Sequence, residues 1–243
     1  LKVGKGDAII LTCGGSTMLI DCGEEDDGQE VVDNLTEQGI QKVDVLIITH
    51  FDKDHVGGAD SVVKMIPVDR VLQPAYEGTS AEYDDFLTAM EEAKITPENV
   101  TQTQTFQFGQ ASITVEPPAS YEIPDGKGEY DNNFSLITTV ELGAKRLVFT
   151  GDAEKKRIRE WLSSGTAQPC DFLKVPHHGV YNKALPELFE TLHPAYAVIC
   201  DSAKNPADDR TLELLKQCGA STYQTKDGDI SIVCDGESIA VTQ

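Results

Sequence analysis

The chain has 243 residues and a formal net charge of −21, from 41 acidic and 20 basic side chains. This excess of negative charge argues against a broad surface that follows nucleic-acid phosphates. It does not exclude a phosphodiester substrate, because bound divalent cations would supply local positive charge. The length allows one large α/β domain, and no Pro/Gly/Ser-rich linker divides it. We therefore expect a single domain over residues 1–243.

The six cysteines are scattered and form no CxxC pair. In a chain of this length, that pattern indicates free thiols rather than disulfide staples. The longest apolar stretches have the length of strands, so we expect no membrane-spanning segment in this chain. Leu1 already lies in a strand-like apolar run, and we expect a further N-terminal segment before it.

The first part of the chain predicts a β-hairpin, a helix and a buried strand. Strand-like runs at 7–11 and 17–20 are followed by apolar residues at helical spacing, which end before Gly39. The run 43–49 is almost continuously apolar, as is typical of a strand that is buried on both faces. It stops at His50. A cluster of histidines and aspartates therefore follows the C-terminal end of a buried strand.

The rest of the chain repeats the alternation of strands and helices. The predicted helices cover residues 60–65, 83–90, 154–162, 186–192 and 211–218. The predicted strands cover residues 71–72, 106–108, 113–115, 134–142, 146–150, 172–175, 197–200 and 230–234. Two strand-rich halves that each end in helices predict two layers of sheet flanked by helices.

Four of the five histidines, together with several aspartates, fall at predicted strand ends. These residues are Asp21, the run 50–55, Asp152, His177 and His178. Imidazole and carboxylate groups are the ligands of hydrolytic Zn²⁺, Mn²⁺ or Fe sites, and tetrathiolate spacing is absent. The pattern predicts a catalytic metal site with open positions. The alternative is a polar loop in which Asp54 caps the following helix.

These motifs resemble those of the metallo-β-lactamase superfamily, and within it the soluble hydrolase-like domain of ComEC-type competence proteins. The resemblance covers nearly the whole chain. It rests on the segments 3–8 (VGKGDA), 19–23 (LIDCG), 49–58 (THFDKDHVGG), 150–152 (TGD) and 174–179 (KVPHHG). It implies an αββα four-layer sandwich and a hydrolase with two divalent metal ions, Zn²⁺ or Mn²⁺.

The resemblance implies two groups of ligands in the central motif. Asp52 stands where the usual HxHxDH motif has its middle histidine, and it would share one metal ion with His50. Asp54 and His55 would bind the second ion, and Asp54 would also orient the attacking water. An aspartate in place of a histidine shifts the preference of the site from zinc alone towards manganese.

The later motifs supply the remaining ligands in the same comparison. Asp152 would bridge the two ions and would form the catalytic group together with His50 and Asp54. Either His178 or His177 would complete the second metal site. The proline-x-histidine spacing of similar proteins favours His178, but both neighbours stay candidates.

Four further residues are candidates for contacting the substrate or for supporting a ligand. Asp21 would orient a ligand rather than bind metal. Asn133 takes the position of a histidine that this chain lacks, as a weak ligand or substrate contact or simply as an asparagine turn. Lys174 would reach a substrate phosphate or stay a solvated charge. Asn205 lies in a polar loop that lacks a histidine common in ComEC-like domains, which puts nuclease activity in question.

The resemblance leaves three functions open. The leading hypothesis is a phosphodiesterase that acts on DNA or on a smaller phosphodiester. The second is hydrolysis of a carboxylic ester, thioester or lactam, because one fold hosts many substrates. The third is a non-catalytic metal-binding or DNA-uptake-associated module. Similar free-standing chains are exported or surface-anchored, so we expect a location outside the cytoplasm. Free cysteines fit the cytoplasm equally well.

Overall fold

Two β-sheets stack face to face, and helices cover the outer side of each. The computed structural model describes residues 1–122 and 130–243. The first sheet has the strand order β1-β2-β3-β4-β5, in which only β1 and β2 pair antiparallel. Its strands are β1 (Ala8–Cys13), β2 (Ser16–Cys22), β3 (Val43–Ile47), β4 (Val68–Pro74) and β5 (Glu98–Val100).

The second sheet has the order β12-β11-β10-β9-β8-β7-β6 and is antiparallel from β6 to β9 and parallel from β9 to β12. Its strands are β6 (Gln104–Phe108), β7 (Ala111–Glu116), β8 (Ile137–Leu142), β9 (Lys145–Phe149), β10 (Phe172–Lys174), β11 (Tyr196–Ile199) and β12 (Ser221–Gln224). A separate hairpin consists of β13 (Ser231–Cys234) and β14 (Ile239–Thr242).

Three apolar layers hold these elements together. Helices on the first sheet bury residues such as Leu35 and Phe86, and helices on the second bury Trp161 and Phe189. A third layer, which includes Ile47, fills the space between the sheets. The helices are α1 (Gly28–Glu37), α2 (Lys53–Val56), α3 (Ala59–Met65), α4 (Ala81–Ala93), α5 (Lys155–Ser164), α6 (Leu185–Leu192) and α7 (Asp209–Gln217). This arrangement confirms the predicted αββα sandwich.

The predicted strand 134–142 is shorter in the structure, where Asp131–Phe134 form a 3-10 turn and β8 begins at Ile137. The cause is a competition for backbone groups. The carbonyl of Ser135 accepts a hydrogen bond from the buried guanidinium of Arg157 at 3.0 Å. The N–H of Leu136 donates to the carbonyl of Thr49 at 2.9 Å. These groups are therefore not available for pairing with β7.

The sequence patterns missed the short strands β5, β12 and β14, which carry polar residues on exposed positions. All six cysteines are free thiols, as their spacing indicates, and three of them are buried. None of the helices in residues 1–122 and 130–243 combines the length and hydrophobicity that crossing a bilayer requires.

We predict that Leu46→Ala lowers the free energy of unfolding by about 2–5 kcal/mol. Leu46 belongs to β3 and is fully buried against the helices that cover the first sheet, so its truncation leaves a cavity. Leu87→Ala is the matched control, since Leu87 lies 36% exposed on α4. We expect it to cost less than about 1 kcal/mol. Urea denaturation measures both values, and equal losses would contradict the assigned layers.

Candidate metal centre

Residues from both sheets meet at one edge of the sandwich. Asp21 lies near the end of β2, and the run 50–55 follows β3 and enters α2. Asp152 follows β9, and His178 follows β10. Parallel neighbours such as β2 with β3 and β9 with β10 end on the same side of their sheet, so side chains beyond their ends converge.

Asp152 lies at the centre of this cluster. Its Oδ2 atom is 2.8 Å from Nε2 of His178 and 3.3 Å from Nε2 of His55. The two imidazole nitrogens are 3.4 Å apart, and Oδ2 of Asp54 lies 3.5 Å from His178. Imidazole and carboxylate donors that face one another in this way are the donor set of a hydrolytic metal site.

His50 gives the clearest evidence that the cluster fits metal ions. Its ring is fully buried, and its Nε2 atom has no hydrogen-bond partner among the described residues. The nearest charge is the carboxylate of Asp52 at 3.6 Å. Leaving a buried polar atom unpaired is costly, and a divalent ion would give it a partner. Ligand atoms of His50, His55 and Asp152 all lie within 4.8 Å of one another, as do those of Asp54, His55 and His178.

The turn after β10 separates the two neighbouring histidines. His177 (φ 48°) and His178 (φ 51°) both adopt the left-handed conformation, which is rare for residues other than glycine. As a result, the ring of His178 is buried in the cluster. His177 points away, with its Nδ1 atom 3.3 Å from the carboxylate of Glu154. The structure thus brings His178, and not His177, next to Asp152.

Asp21 supports the cluster from behind His55. Its carboxylate accepts hydrogen bonds from the N–H and the hydroxyl of Thr49, both at 2.7 Å, and lies 2.8 Å from Nδ1 of His55. This leaves Nε2 of His55 facing Asp152. Asp54 lies inside α2, so the alternative in which it caps the following helix is wrong.

The comparison of the sequence with known families supports a metal site at this cluster. The family model described as the metallo-beta-lactamase superfamily matches residues 1–200. The chain belongs to the metallo-β-lactamase superfamily. A protein that is named for competence is among its relatives.

Two relatives resemble this chain in sequence, and one solved structure resembles it in fold. ComE operon protein 3 of Bacillus subtilis (strain 168) is 32% identical over 194 residues, which cover 79% of this chain and 24% of that protein. Recombination protein 2 of Haemophilus influenzae is 28% identical over 211 residues, which cover 85% and 24%. This chain thus spans about a quarter of their length. Tm1679, described as a metal-dependent hydrolase of the β-lactamase superfamily, shares the fold with a TM-score of 0.62 at 16% identity and covers 92% of this chain and 90% of its own.

Charges within this metallo-β-lactamase cluster shift the pKa values of its members. Burial alone would raise the pKa of Asp152, but the neighbouring His178, His55 and Lys174 outweigh burial and hold the pKa well below its ordinary value. Burial would lower the pKa of His55, but the carboxylates of Asp152 and Asp21 outweigh it and raise the pKa. The carboxylate of Asp152 is therefore ionised, as metal ligation requires, whereas a metal ion must displace the proton on the imidazole of His55.

Lys174 is not the surface group that its place at a strand end suggests. Its side chain is 1% exposed, because β10 is an inner strand covered on both faces. Its ammonium group contacts Asp7 and the carbonyl of Gly151, the latter at 3.0 Å. Burial alone would lower the pKa of Lys174, but Asp7 and Asp152 outweigh it and raise the pKa. This position removes Lys174 from the candidates for a substrate contact and excludes a solvated charge.

Asn133 binds the N-terminal end of α5, which is not the local contact of an asparagine turn. Its Oδ1 atom accepts a hydrogen bond from the N–H of Arg157 at 3.2 Å, in the first turn of α5. The neighbouring Asn132 faces the histidine turn instead, with Nδ2 3.5 Å from Nε2 of His177. Asn205 is exposed in the loop after β11, where its hydrogen bonds join it to Ser202.

Lys5 and Asp7 lie beside the cluster, and the sequence patterns assigned them no role although both belong to the segment 3–8. Asp7 is buried against Lys174, and Lys5 pairs with Asp54 at 3.1 Å. Gly6, which lies between them, was the feature of the sequence that could have indicated a close contact with the central motif. A Cβ atom on Gly6 would lie 2.5 Å from the carbonyl oxygen of Asp54, so only glycine lets this segment approach the central motif.

We predict that His178→Ala weakens the affinity for Mn²⁺ or Zn²⁺ by at least about 100-fold, because side chains that merely support a ligand already contribute 10–100-fold. His177→Ala is the matched control, and we expect a loss of less than about 10-fold. Isothermal titration calorimetry on metal-free protein measures both. A larger loss in the His177 variant would assign the ligand to the neighbour.

Proposed function

We propose that the chain is a metal-dependent phosphodiesterase with two divalent ions, Mn²⁺ or Zn²⁺, in the cluster around Asp152. His50 and Asp52 would hold one ion, Asp54, His55 and His178 would hold the other, and Asp152 would serve both. The observation that carries the proposal is the buried Nε2 atom of His50, which has no hydrogen-bond partner among the described residues and lies 3.6 Å from the carboxylate of Asp52. A divalent cation would give this nitrogen and the carboxylate of Asp52 a common partner.

Divalent ions held there would supply Lewis-acid stabilisation of the charge on the phosphoryl group and would make the attacking water more acidic. The side chains supply position. Asp54, which is nearly buried and lies 3.5 Å from His178, is placed to orient the attacking water. Asp21 fixes the ring of His55 through Nδ1. The buried side chains around Asp152 exclude bulk water, which strengthens each electrostatic contact.

Lys5 favours an anionic substrate over a neutral one. Its side chain is 32% exposed, and its ammonium group contacts Asp54 at the exposed side of the cluster. Partial burial would lower the pKa of Lys5, but the carboxylate of Asp54 raises it, so the group is charged at neutral pH. A phosphodiester gains an ion pair from this cation, whereas a simple ester or a lactam ring gains less.

The net charge of −21 favours a small substrate over a long polyanion. A long polyanion is repelled by an acidic surface, whereas a small phosphodiester meets mainly the cations at the site. The names of the relatives, a ComE operon protein and a recombination protein, support a link with nucleic acid. The proposed substrate is therefore a small phosphodiester or a short piece of nucleic acid.

We predict that protein loaded with Mn²⁺ or Zn²⁺ hydrolyses bis(p-nitrophenyl) phosphate faster than p-nitrophenyl acetate or a chromogenic β-lactam. The two ions suit the clamping of attacking and leaving phosphate oxygens. Initial rates at matched metal loading provide the measurement, and Asp152→Ala is the inactive control. Faster ester or lactam hydrolysis would favour an acyl hydrolase. Two bound ions without turnover of any substrate would favour a binding module.

We also predict that Lys5→Ala raises KM for the phosphodiester about 10-fold at saturating metal, because a charge-assisted contact of about 1.4 kcal/mol is lost. Lys5→Arg should restore most of the loss. Lys2→Ala is the matched control, since Lys2 is exposed three positions away and its removal changes the net charge equally. Equal increases in KM for both alanine variants would indicate a general charge effect and contradict a specific contact.

A further inference from the structure

A buried ion pair joins the two sheets directly behind the cluster. Asp7 precedes β1 in the first sheet, and Lys174 ends β10 in the second. Both side chains are 1% exposed and contact each other. The free energy that a buried ion pair contributes is often no greater than that of apolar residues of the same size. Stability alone therefore does not explain why charges are buried here.

Lys174 holds the segment that carries Asp152. Its ammonium group donates to the carbonyl of Gly151 at 3.0 Å and lies 3.4 Å from Oδ1 of Asp152. The hydroxyl of Thr150 donates back to the carbonyl of Lys174 at 2.8 Å. The two oxygens of Asp152 consequently have different partners. Oδ1 faces Lys174, and Oδ2 faces the histidines.

Asp7 lies behind both of these histidines. Its Oδ1 atom is 3.7 Å from Nδ1 of His178, and its Oδ2 atom is 3.9 Å from Nδ1 of His55. Closer acceptors already hold the two Nδ1 atoms, namely the carbonyl of Cys200 at 2.9 Å and the carboxylate of Asp21 at 2.8 Å. A negative charge behind the Nδ1 edges makes both Nε2 atoms stronger donors to a metal ion.

We propose that the Asp7–Lys174 ion pair positions the metal ligands. Lys174 binds Oδ1 of Asp152 and leaves Oδ2 to the metal ions, and Asp7 balances the charge of Lys174 and polarises His55 and His178. Both are positioning residues, because neither reaches the exposed side of the cluster. The proposal rests on the proposed function only in that the cluster binds metal.

The test is the double variant Asp7→Asn/Lys174→Met, which removes both charges but keeps the size of both side chains. Because no buried charge is left unpaired, we expect it to fold. The matched control is Asp171→Asn/Lys145→Met. That ion pair, at 2.9 Å, joins the segment before β10 to the start of β9, at the ends of these strands that lie away from the cluster.

The first measurement is Mn²⁺ affinity by calorimetry on metal-free protein without substrate. We expect a 10–100-fold weaker Kd in the Asp7/Lys174 variant and a wild-type Kd in the control. Because no turnover is involved, a failure of the phosphodiesterase proposal would not affect this result. A wild-type Kd in the folded Asp7/Lys174 variant would overturn the positioning role.

The second measurement is the visible absorption of Co²⁺-loaded protein, which reports the geometry of the ligands around the ion. We expect the bands of the Asp7/Lys174 variant to shift or lose intensity and those of the control to match the wild type. A purely structural ion pair would leave the spectrum of folded protein unchanged, and that result would overturn the proposal. Should the double variant not fold, Asp7→Asn alone is measured in the same way, because it is nearly isosteric and leaves Lys174 its contacts with Gly151 and Asp152.

Discussion

The carboxylate of Asp152 is the point on which both the fold and the site depend. Its Oδ2 atom faces His55, which follows a strand of the first sheet, and His178, which follows a strand of the second. A buried carboxylate without a partner costs several kcal/mol. Any arrangement that separated the sheets at this edge would therefore be penalised. The packing of the two halves and the assembly of the metal centre occur together for this reason.

The cluster carries local strain that the rest of the fold must offset. Asp21, His177 and His178 all adopt positive φ angles, and such residues cost of order 1–3 kcal/mol each. The unpaired Nε2 atom of His50 adds a desolvation penalty. The three apolar layers stabilise the fold enough to hold these conformations. Metal binding would then relieve part of the penalty, so the metal centre is coupled to the stability of the whole chain.

The sequence predicted the features that depend on local patterns and missed those that depend on contacts across the sandwich. A buried strand that stops at His50 is visible in a short window. The αββα sandwich was predicted from the alternation of strands and helices over the whole chain, together with the resemblance of the motifs to the superfamily. The contact between Asp7 and Lys174 joins the first strand of one sheet to an inner strand of the other, and no periodicity encodes it. The sequence singled out Asn133, whereas Asn132 faces His177, because the rotation of the 3-10 turn decides which asparagine points to the histidine turn and composition cannot show that rotation.

The distribution of charge connects this geometry with the choice of substrate. Screening in physiological salt limits interactions between exposed charges to about 8 Å. The proposed small phosphodiester would therefore interact mainly with Lys5 and with metal ions bound in the cluster. A polymer must also cross the surrounding surface of a chain with a net charge of −21. Catalysis on a phosphodiester and tight binding of nucleic acid are separate properties, and the second requires a basic surface from another domain or partner.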